Sequence, residues 1–191
     1  IDILFIYMEN SIIDKEIMDH ETQQSSLEKQ PTTCKLYDKW TLWGHLPHDT
    51  KWTFDSYIRI MSFGTVDEIV SLNETIPSEM ITNCMLFIMR DGIKPMWEDP
   101  KNMNGGCFSY KVSNKIVVSI WKNLSYSLVG ESLSDNKSVI PLINGITISP
   151  KKNFCILKIW LGNCNFQNPE IIVNTLGISH AGCLFKTHMS K

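Results

Sequence analysis

A series of short apolar runs, rich in β-branched and aromatic residues and separated by turn residues, limits the possible folds most strongly. Runs of this length and composition are typical of β-strands. Because the runs follow one another at short intervals, they predict one antiparallel sheet arranged as a meander. The runs lie at about residues 40–43, 54–61, 85–89, 108–112, 145–148 and 156–160.

Two amphipathic patterns predict helices beside this sheet. The first opens at Thr65 with a capping box, in which the Thr65 hydroxyl and the Glu68 carboxylate satisfy backbone N–H groups, and it stops before Pro77. The second covers about residues 114–129 and has one apolar stripe. Since each helix has one face to bury, both should pack on one side of the sheet. A further segment, residues 168–177, fits a helix or a strand equally well.

Length and composition suit one globular unit. The chain has 191 residues, 43% of them apolar, which is enough for a sizeable core. We expect residues 1–31 to form a partly mobile N-terminal extension and residues 32–191 to form a single, monomeric domain. A net charge of -2 provides no general basic field, so any contact with nucleic acid should be local and short.

The cysteines and the N-terminus predict a protein of the reducing cytoplasm. The six cysteines show no short paired spacing, which argues against a zinc cluster and a disulfide framework. Sequons at Asn73, Asn123 and Asn136 would indicate secretion only behind a signal peptide, and residues 1–8 lack the basic region of one. No apolar stretch is long enough to span a bilayer. We therefore expect no membrane contact, metal or cofactor.

A loop bounded by glycine and proline places the Trp97 indole beside the Glu98 carboxylate. An indole can stack on a planar base, and a carboxylate can accept from the N1–H and exocyclic amine of guanine. Trp52 also follows a polar turn, so two loop indoles could face each other across one ligand. A methylated, positively charged purine would gain about 2 kcal/mol from cation–π attraction besides stacking. Most tryptophans are structural, and we expect that of Trp40, Trp43 and Trp121.

Several further motifs accompany this loop in a recognisable order. Asp-Gly-Ile-x-Pro-Met-Trp-Glu-Asp at residues 91–99 is the most specific of them, and the others lie at residues 40–43, 51–52, 63–68, 128–131, 159–160 and 179–181. In order and approximate spacing these motifs resemble the eukaryotic translation initiation factor 4E family over roughly residues 34–186. The resemblance implies a curved antiparallel β-sheet, of class α+β, with helices on the convex face and a cap slot on the concave face. It also implies a non-enzymatic protein that binds the 7-methylguanosine 5′ cap of mRNA in translation initiation.

The resemblance assigns roles to residues of the cap slot. Trp52 and Trp97 match the two stacking tryptophans, and Glu98 matches the carboxylate that reads guanine. Trp160 matches the indole that lies against the N7-methyl group.

The residues that would hold the cap phosphates depart from the family. The family uses an arginine and a lysine from the hairpin before the last tryptophan, and residues 149–158 read differently here. Lys158 shares strand parity, and therefore a face, with Trp160. Lys152 and Lys151 could reach from the hairpin, but two lysines at a turn equally fit a solvated tip. Lys186 lies where a mobile loop of the family closes over the phosphates.

The partner-binding surface also departs from the family. Family members bind the scaffold factor 4G and repressor proteins on the back surface through a tryptophan anchor, and Val70 stands in its place. The other residues expected on this surface are Leu36, Val66 and Tyr126, and Lys122, Tyr126 and Asn123 differ from the family pattern. Losing a tryptophan anchor costs about 2 kcal/mol at an interface. Either a co-diverged partner exists, or the protein is a cap-binding competitor or repressor that recruits no scaffold.

Two other classes of function stay open. An enzyme acting on nucleotides could use Ser179 and His180, although the chain has neither a nucleophile elbow nor metal-ligand spacing. A structural sheet protein would bury all of its tryptophans in the core.

Overall fold

The computed structural model describes residues 33–174 and 177–189. These residues form one seven-stranded antiparallel sheet and three α-helices. The predicted N-terminal extension, residues 1–31, lies outside the described residues. The strands are β1 (Lys35–His45), β2 (Tyr57–Thr65), β3 (Met85–Arg90), β4 (Gly106–Ser113), β5 (Ile143–Pro150), β6 (Phe154–Leu161) and β7 (Leu184–Thr187). The helices are α1 (Val66–Thr75), α2 (Ser78–Asn83) and α3 (Val117–Val129), with 3-10 turns at Phe54–Ser56, Ile140–Leu142 and Pro169–Ile171.

The six predicted strands are present, but the predicted meander is wrong. The strand order is β2-β1-β3-β5-β6-β4-β7, in which only β1–β2 and β5–β6 are consecutive in the described chain. Long connections follow β2 (α1 and α2), β3 (the 91–105 loop), β4 (α3) and β6, and after each of them the next strand does not pair with the one before it. The sequence analysis missed β7, which is only four residues long, and α2, which is only six. In the segment 168–177 the structure describes the 3-10 turn Pro169–Ile171, and residues 175–176 lie outside the described residues.

Both predicted helices are confirmed. At the start of α1 the backbone N–H of Glu68 donates to Thr65 Oγ1 at 3.3 Å, and the backbone N–H of Thr65 donates to Glu68 Oε2 at 3.0 Å. Helix α3 begins at Val117 rather than near residue 114. The two helices touch through Asn73, which is 1% exposed and donates to the Ser125 hydroxyl at 2.8 Å. The sequon asparagine at position 73 is therefore buried in the fold.

The strand register separates the two faces of the sheet. Residues opposite each other in an antiparallel ladder point to the same face. One row across the sheet consists of Leu42, Ile88, Ile146, Ile159 and Phe108. All five are fully buried and belong to the large core that includes the helices. The neighbouring row consists of Trp43, Phe87, Thr147, Lys158 and Ser109 and therefore points to the opposite face.

The predicted fold class is confirmed: a curved antiparallel sheet carries its helices on one face. The helix-free face has only a small apolar cluster, formed by Phe87, Met89, Ile93 and Trp160. Polar side chains such as Lys158 occupy the rest of its central rows, so this face is suited to a polar ligand. Within the described residues, every helix is too short or too polar to cross a bilayer.

Candidate functional site

A cleft of about 400 Å³, here called the aromatic cleft, opens on the helix-free face of the sheet. It brings together the four residues predicted to hold a base, Trp52, Trp97, Glu98 and Trp160. Trp52 is 54% exposed and Trp97 is 47% exposed, so both loop indoles are accessible. The complete lining is Trp52, Tyr57, Met85, Phe87, Pro95, Met96, Trp97, Glu98, Ser149, Lys151, Lys158 and Trp160.

Trp52 is supported from below by a buried histidine. The ring of His45 lies parallel to the Trp52 indole, with centroids 4.2 Å apart and planes 4° apart. His45 is 2% exposed, and its Nε2 lies 2.9 Å from the carbonyl oxygen of Lys51. Since Lys51 precedes Trp52, this contact fixes the backbone that carries the indole. The opposite face of the ring is left for a planar ligand.

Trp97 sits on a loop that is held by buried polar side chains. Asp99 accepts from the backbone N–H groups of Lys94 at 3.0 Å and Lys101 at 2.9 Å. The Asn102 amide donates to the carbonyl oxygens of Lys94 at 3.0 Å and Met96 at 2.8 Å. These bonds close the loop on both sides of the indole. Because Asp99 and Asn102 bond to backbone groups of the loop, the conformation of the loop depends on these few side chains.

Asn102 also joins this loop to the sheet. It is 0% exposed, and its Oδ1 accepts from the amide of Asn144 in β5 at 2.9 Å. The loop starts at Arg90, the last residue of β3, whose guanidinium pairs with Asp38 and, at 2.9 Å, with Glu131. Both ends of the loop are therefore fixed.

Asn102→Ala should lower the free energy of unfolding by about 2 kcal/mol, because it leaves the buried Asn144 amide and two partly buried carbonyl groups without their partner. The loop should also loosen, so ligand affinity at Trp97 should fall. Urea denaturation measures the first effect. Asn104→Ala is the matched control, since Asn104 is exposed two residues further on. Equal stability of the two variants would contradict the role given to Asn102.

The two tryptophan loops touch each other. The Lys94 ammonium lies 4.3 Å from the ring centroid of Phe54, which follows Trp52 by two residues. Phe54 in turn packs on Trp43 of β1 at 5.7 Å between centroids. This contact holds the two indole-bearing loops at the same end of the sheet.

Trp160 forms the floor of the aromatic cleft. It is 2% exposed, and its Nε1–H donates to the Thr147 hydroxyl at 2.7 Å. Its ring meets Phe87 at a centroid distance of 6.4 Å. A buried, hydrogen-bonded indole is rigid, so it offers a fixed apolar surface to whatever enters the cleft. Of the other indoles, Trp40 and Trp121 are fully buried, as predicted, and Trp43 is half-buried.

Glu98 is exposed and lies near Tyr57 of β2. Burial raises the pKa of the Tyr57 phenol to about 12, and the negative charge of Glu98 contributes to this rise. Tyr57 is therefore a neutral phenol near neutral pH. It packs edge-on against Trp52 at 6.4 Å and against Phe87 at 5.4 Å between centroids. Sequence reasoning missed Tyr57, which lay in a predicted strand without other distinction.

The predicted lysines lie in different places. Lys158 lines the aromatic cleft with its ammonium 5.7 Å from the Trp97 ring centroid, and Lys151 lines the same cleft. Lys152, exposed on the same turn, lines neither cleft of this face. Lys186 is in strand β7, paired with Cys107, rather than in the expected mobile loop. The connection from Ala181 to β7 is too short for such a loop.

Lys186 belongs to a second cleft of about 540 Å³, here called the adjoining cleft. Lys158 and Trp97 line both clefts, so the two are continuous. His188 also lines the adjoining cleft, and the sequence analysis gave it no role. If β7 had been predicted, the alternation of side chains along the strand would have placed His188 on the same face of the sheet as Lys186. The other lining residues are Cys107, Ser109, Leu184, Phe185 and Thr187.

His188 is a buried, neutral histidine. It is 7% exposed, and its Nδ1 lies 2.8 Å from the carbonyl oxygen of Asn102. Its ring is parallel to that of Trp97 with centroids 6.3 Å apart and is tilted against Trp160 at 4.6 Å. Burial lowers the pKa of His188, and the charge of Lys158 lowers it further, while the Asn102 contact opposes the shift.

The residues predicted to bind a partner lie on the back face, away from both clefts. Val66 and Val70 on α1 are 38% and 36% exposed, and Tyr126 on α3 is 38% exposed. Leu36 is partly buried against the core. The contact between Asn73 and Ser125 holds α1 beside α3, so the three exposed side chains occupy one helical layer.

The residues considered for an enzyme do not form a catalytic arrangement. Ser179 and His180 line neither cleft, and the His180 ring lies 6.1 Å from Tyr110, on the core side of β4. Among the described residues, no three His, Cys, Asp or Glu side chains are grouped to hold a metal ion.

Comparison with known families connects this geometry to other proteins. A family model described as eukaryotic initiation factor 4E matches residues 35–188. A eukaryotic translation initiation factor 4E homolog of Acanthamoeba polyphaga mimivirus is 41% identical over 90 residues, which is 47% of this chain and 29% of that protein. Eukaryotic translation initiation factor 4E-2 of Schizosaccharomyces pombe is 31% identical over 139 residues, 70% of this chain and 56% of that protein. The chain thus spans less than two thirds of these relatives.

Solved structures share the fold. A schistosome eIF4E complexed with m7GpppG and 4E-BP superposes with a TM-score of 0.63 at 27% identity, covering 71% of this chain and 75% of that one. Caenorhabditis elegans eIF4E-3, in a complex with the 4E-binding protein Mextli and cap analog, has a TM-score of 0.72. At 23% identity, with 82% of this chain and 94% of that one covered, this second likeness supports the fold alone.

Proposed function

Because this chain belongs to the eukaryotic initiation factor 4E family, we propose that it binds the 7-methylguanosine 5′ cap of mRNA and acts in translation initiation. The observation that carries the proposal is the convergence of Trp52, Trp97 and Glu98 on one open cleft. The schistosome relative, 27% identical, is in complex with the cap analog m7GpppG.

The chemistry of the aromatic cleft fits a methylated guanine. The base would stack between Trp52 and Trp97, each stack contributing roughly 1–3 kcal/mol. The Glu98 carboxylate would accept from N1–H and the exocyclic amine, a donor pair that adenine lacks. Trp160 would lie against the N7-methyl group. The positive charge of the methylated ring adds a cation–π attraction that unmethylated guanine cannot make.

Lysines next to the base would hold the phosphates. Lys158 is the first of these, because it lines both clefts and lies beside Trp97. Lys151 and Lys186 would contribute from either side. Lys152 is the least supported of the four, since it is exposed on the turn outside both clefts.

A fluorescence titration tests this function directly. Added 7-methylguanosine triphosphate should quench the indole emission at about micromolar concentration, because two exposed indoles become stacked. GTP, which lacks the methyl group and its charge, should require a much higher concentration. Unchanged emission with both ligands at millimolar concentration would contradict the proposal.

The proposed function involves no reaction on the nucleotide. Proteins of this family are cap-binding factors. We place its action in the cytoplasm, where capped mRNA is translated.

The back face determines which role follows cap binding. The schistosome complex contains the protein 4E-BP in addition to the cap analog m7GpppG. The surface of Val66, Val70 and Tyr126 would receive a scaffold factor of the 4G type or a repressor. Val70 is small for a hydrophobic anchor, which favours a second candidate: a cap-binding competitor or repressor that recruits no scaffold. In that role the protein would occupy caps without assembling a complex.

Val70→Trp should increase the affinity for a 4E-BP fragment about 30-fold, because a buried tryptophan anchor contributes about 2 kcal/mol at such interfaces. Isothermal titration calorimetry with the fragment measures the change. Leu184→Trp is the control, since it adds an exposed indole on the opposite face of the sheet, where Leu184 is 69% exposed. Tight binding by the parent protein, with no gain in the variant, would remove the basis for the repressor role.

A further inference from the structure

His188 has one ring nitrogen without a partner. Its Nδ1 faces the carbonyl oxygen of Asn102 at 2.8 Å. A carbonyl oxygen can only accept, so Nδ1 carries the proton in the neutral ring, and Nε2 holds a lone pair. Nε2 is buried, and no described residue bonds to it. A buried polar atom without a protein partner is uncommon, and such an atom can bond to a water, an ion or a ligand.

The charged side chains around His188 favour the binding of an anion. The adjoining cleft is lined by the ammonium-bearing side chains Lys158 and Lys186, and none of its described lining residues is acidic. The remaining titratable group there is Cys107, whose pKa is raised by burial, so the thiol stays neutral. Trp97 and Trp160 provide the uncharged walls around the imidazole. Two lysine ammonium groups beside the aromatic rings can bind the phosphate of a nucleotide whose base is stacked in the aromatic cleft.

A phosphate oxygen and a neutral Nε2 are both acceptors, so they cannot bond to each other. The contact becomes possible when Nε2 is protonated and donates. In the free protein, burial and Lys158 keep His188 neutral. A phosphate between the two lysines cancels their repulsion and favours the imidazolium, which has opposite charge.

We propose that His188 binds the phosphate chain of the cap through Nε2–H and takes up one proton from solvent as it does so. This inference rests on the proposed function, because the stacked base is what places the phosphates beside Lys158. In addition to the lysine contacts, phosphate binding by this chain is then accompanied by the uptake of a proton. A bare nucleoside should gain nothing from His188.

The direction of the pH effect follows from linkage. His188 is neutral in the free protein down to its lowered pKa, and its pKa in the complex is higher. The affinity for phosphate-bearing ligands should therefore increase as the pH falls through the pKa of the complex and level off below that of the free protein. Each unit of difference between the two pKa values corresponds to a tenfold change in affinity.

The test compares two ligands and three proteins. Dissociation constants for 7-methylguanosine triphosphate and the nucleoside 7-methylguanosine are measured between about pH 8 and about pH 6, the range in which histidine titrates. The proteins are the parent, His188→Gln and His48→Gln, because His48 is exposed and outside both clefts. The ratio of the two constants cancels the titration of the base, and the terminal phosphate of the free ligand titrates alike for all three proteins.

Over this range the preference for the triphosphate in the parent and in His48→Gln should grow about tenfold more than in His188→Gln. In His188→Gln the amide donates at every pH, so its preference should follow only the ionisation of the terminal phosphate, whose second pKa is about 6. Nucleoside affinity should be equal in the parent and in His48→Gln, and any change in His188→Gln, whose ring packs on Trp97 and Trp160, should not depend on pH. The NMR titration midpoint of His188 in the parent should rise with the triphosphate and not with the nucleoside, and this measurement needs no variant.

An identical pH dependence of the preference in parent and His188→Gln, together with an unmoved NMR midpoint, would overturn the inference while leaving cap binding intact. A ratio of nucleoside affinities between parent and His188→Gln that changes with pH would also overturn it, because Nε2 would then contact the base or ribose. Failure of both ligands to bind the parent protein would instead reject the proposed function, and the inference with it.

Discussion

Trp97→Ala should weaken the binding of 7-methylguanosine triphosphate by at least about 100-fold. Stacking of a base on one indole contributes roughly 1–3 kcal/mol, and the attraction of the cationic ring adds about 2 kcal/mol. The sum is about 3–5 kcal/mol, and each 1.4 kcal/mol is a factor of ten in affinity. A fluorescence titration that follows the remaining indoles measures the loss. Trp97→Phe should lose less, because a smaller π surface remains.

Two comparisons make this result specific. The unfolding free energy of Trp97→Ala should stay near that of the parent, since the side chain is 47% exposed and the loop is held by Asp99 and Asn102. Tyr37→Ala removes an aromatic side chain that is 87% exposed outside the cleft, so it should bind normally. Parent-like affinity of Trp97→Ala would show that the base does not stack there.

The loop that carries Trp97 was predictable from sequence because its structure is local. Gly92 adopts a φ of 77°, a conformation that glycine adopts without strain, and Pro95 restricts the next turn. The hydrogen bonds that Asp99 and Asn102 make within the loop connect residues no more than eight positions apart. A contiguous motif can therefore specify the loop and the adjacent indole and carboxylate. The same holds for the capping box of α1, which involves only four consecutive residues.

The order of the strands was not predictable in the same way. Pairing β3 with β5 and β6 with β4 depends on contacts between residues far apart in sequence. Strand propensity and turn residues do not encode which partner a strand chooses. Alternation within each strand nevertheless predicted the face of Lys158 relative to Trp160, because parity is a property of a single strand. The structure places both in the aromatic cleft.

The position of His188 likewise depends on strand pairing between residues far apart in sequence. Strand β7 pairs with β4 at the edge of the sheet, and this pairing carries the residues that follow it back to the 91–105 loop. The backbone N–H of His188 donates to the carbonyl oxygen of Gly105 at 3.0 Å, and its side chain reaches Asn102. Because β7 is only four residues long and was not predicted, no strand register could be assigned to the histidine that follows it. Its importance follows only from the two clefts that meet beside it.

Glu98→Gln should lower the affinity for 7-methylguanosine triphosphate about 100-fold and remove most of the preference for guanine. Hydrogen bonds to a charged group contribute about 1.5–3 kcal/mol each, and the carboxylate can accept two from guanine. A glutamine amide presents one acceptor and one NH₂ group, and the NH₂ would face a guanine donor. The uncharged amide also loses the attraction for the cationic base.

The discrimination can be measured with a ligand pair. The parent should bind 7-methylguanosine triphosphate more tightly than 7-methylinosine triphosphate, which lacks the exocyclic amine. Glu98→Gln should bind both with similar affinity, whereas the control Glu79→Gln, exposed on helix α2, should retain the parent preference. If the preference for guanine persists in Glu98→Gln, another acceptor reads the base.

Tyr57 gives this variant a readout that needs no ligand. The charge of Glu98 contributes to the raised pKa of Tyr57, although burial is the larger cause. Glu98→Gln should therefore lower the pKa of Tyr57 from about 12 while leaving it above the ordinary value for a phenol. Ultraviolet titration of the phenol reports the shift. Both effects depend on the Glu98 carboxylate. If the phenol pKa falls but the affinity for guanine is unchanged, Glu98 lies near Tyr57 in the cleft but does not contact the base.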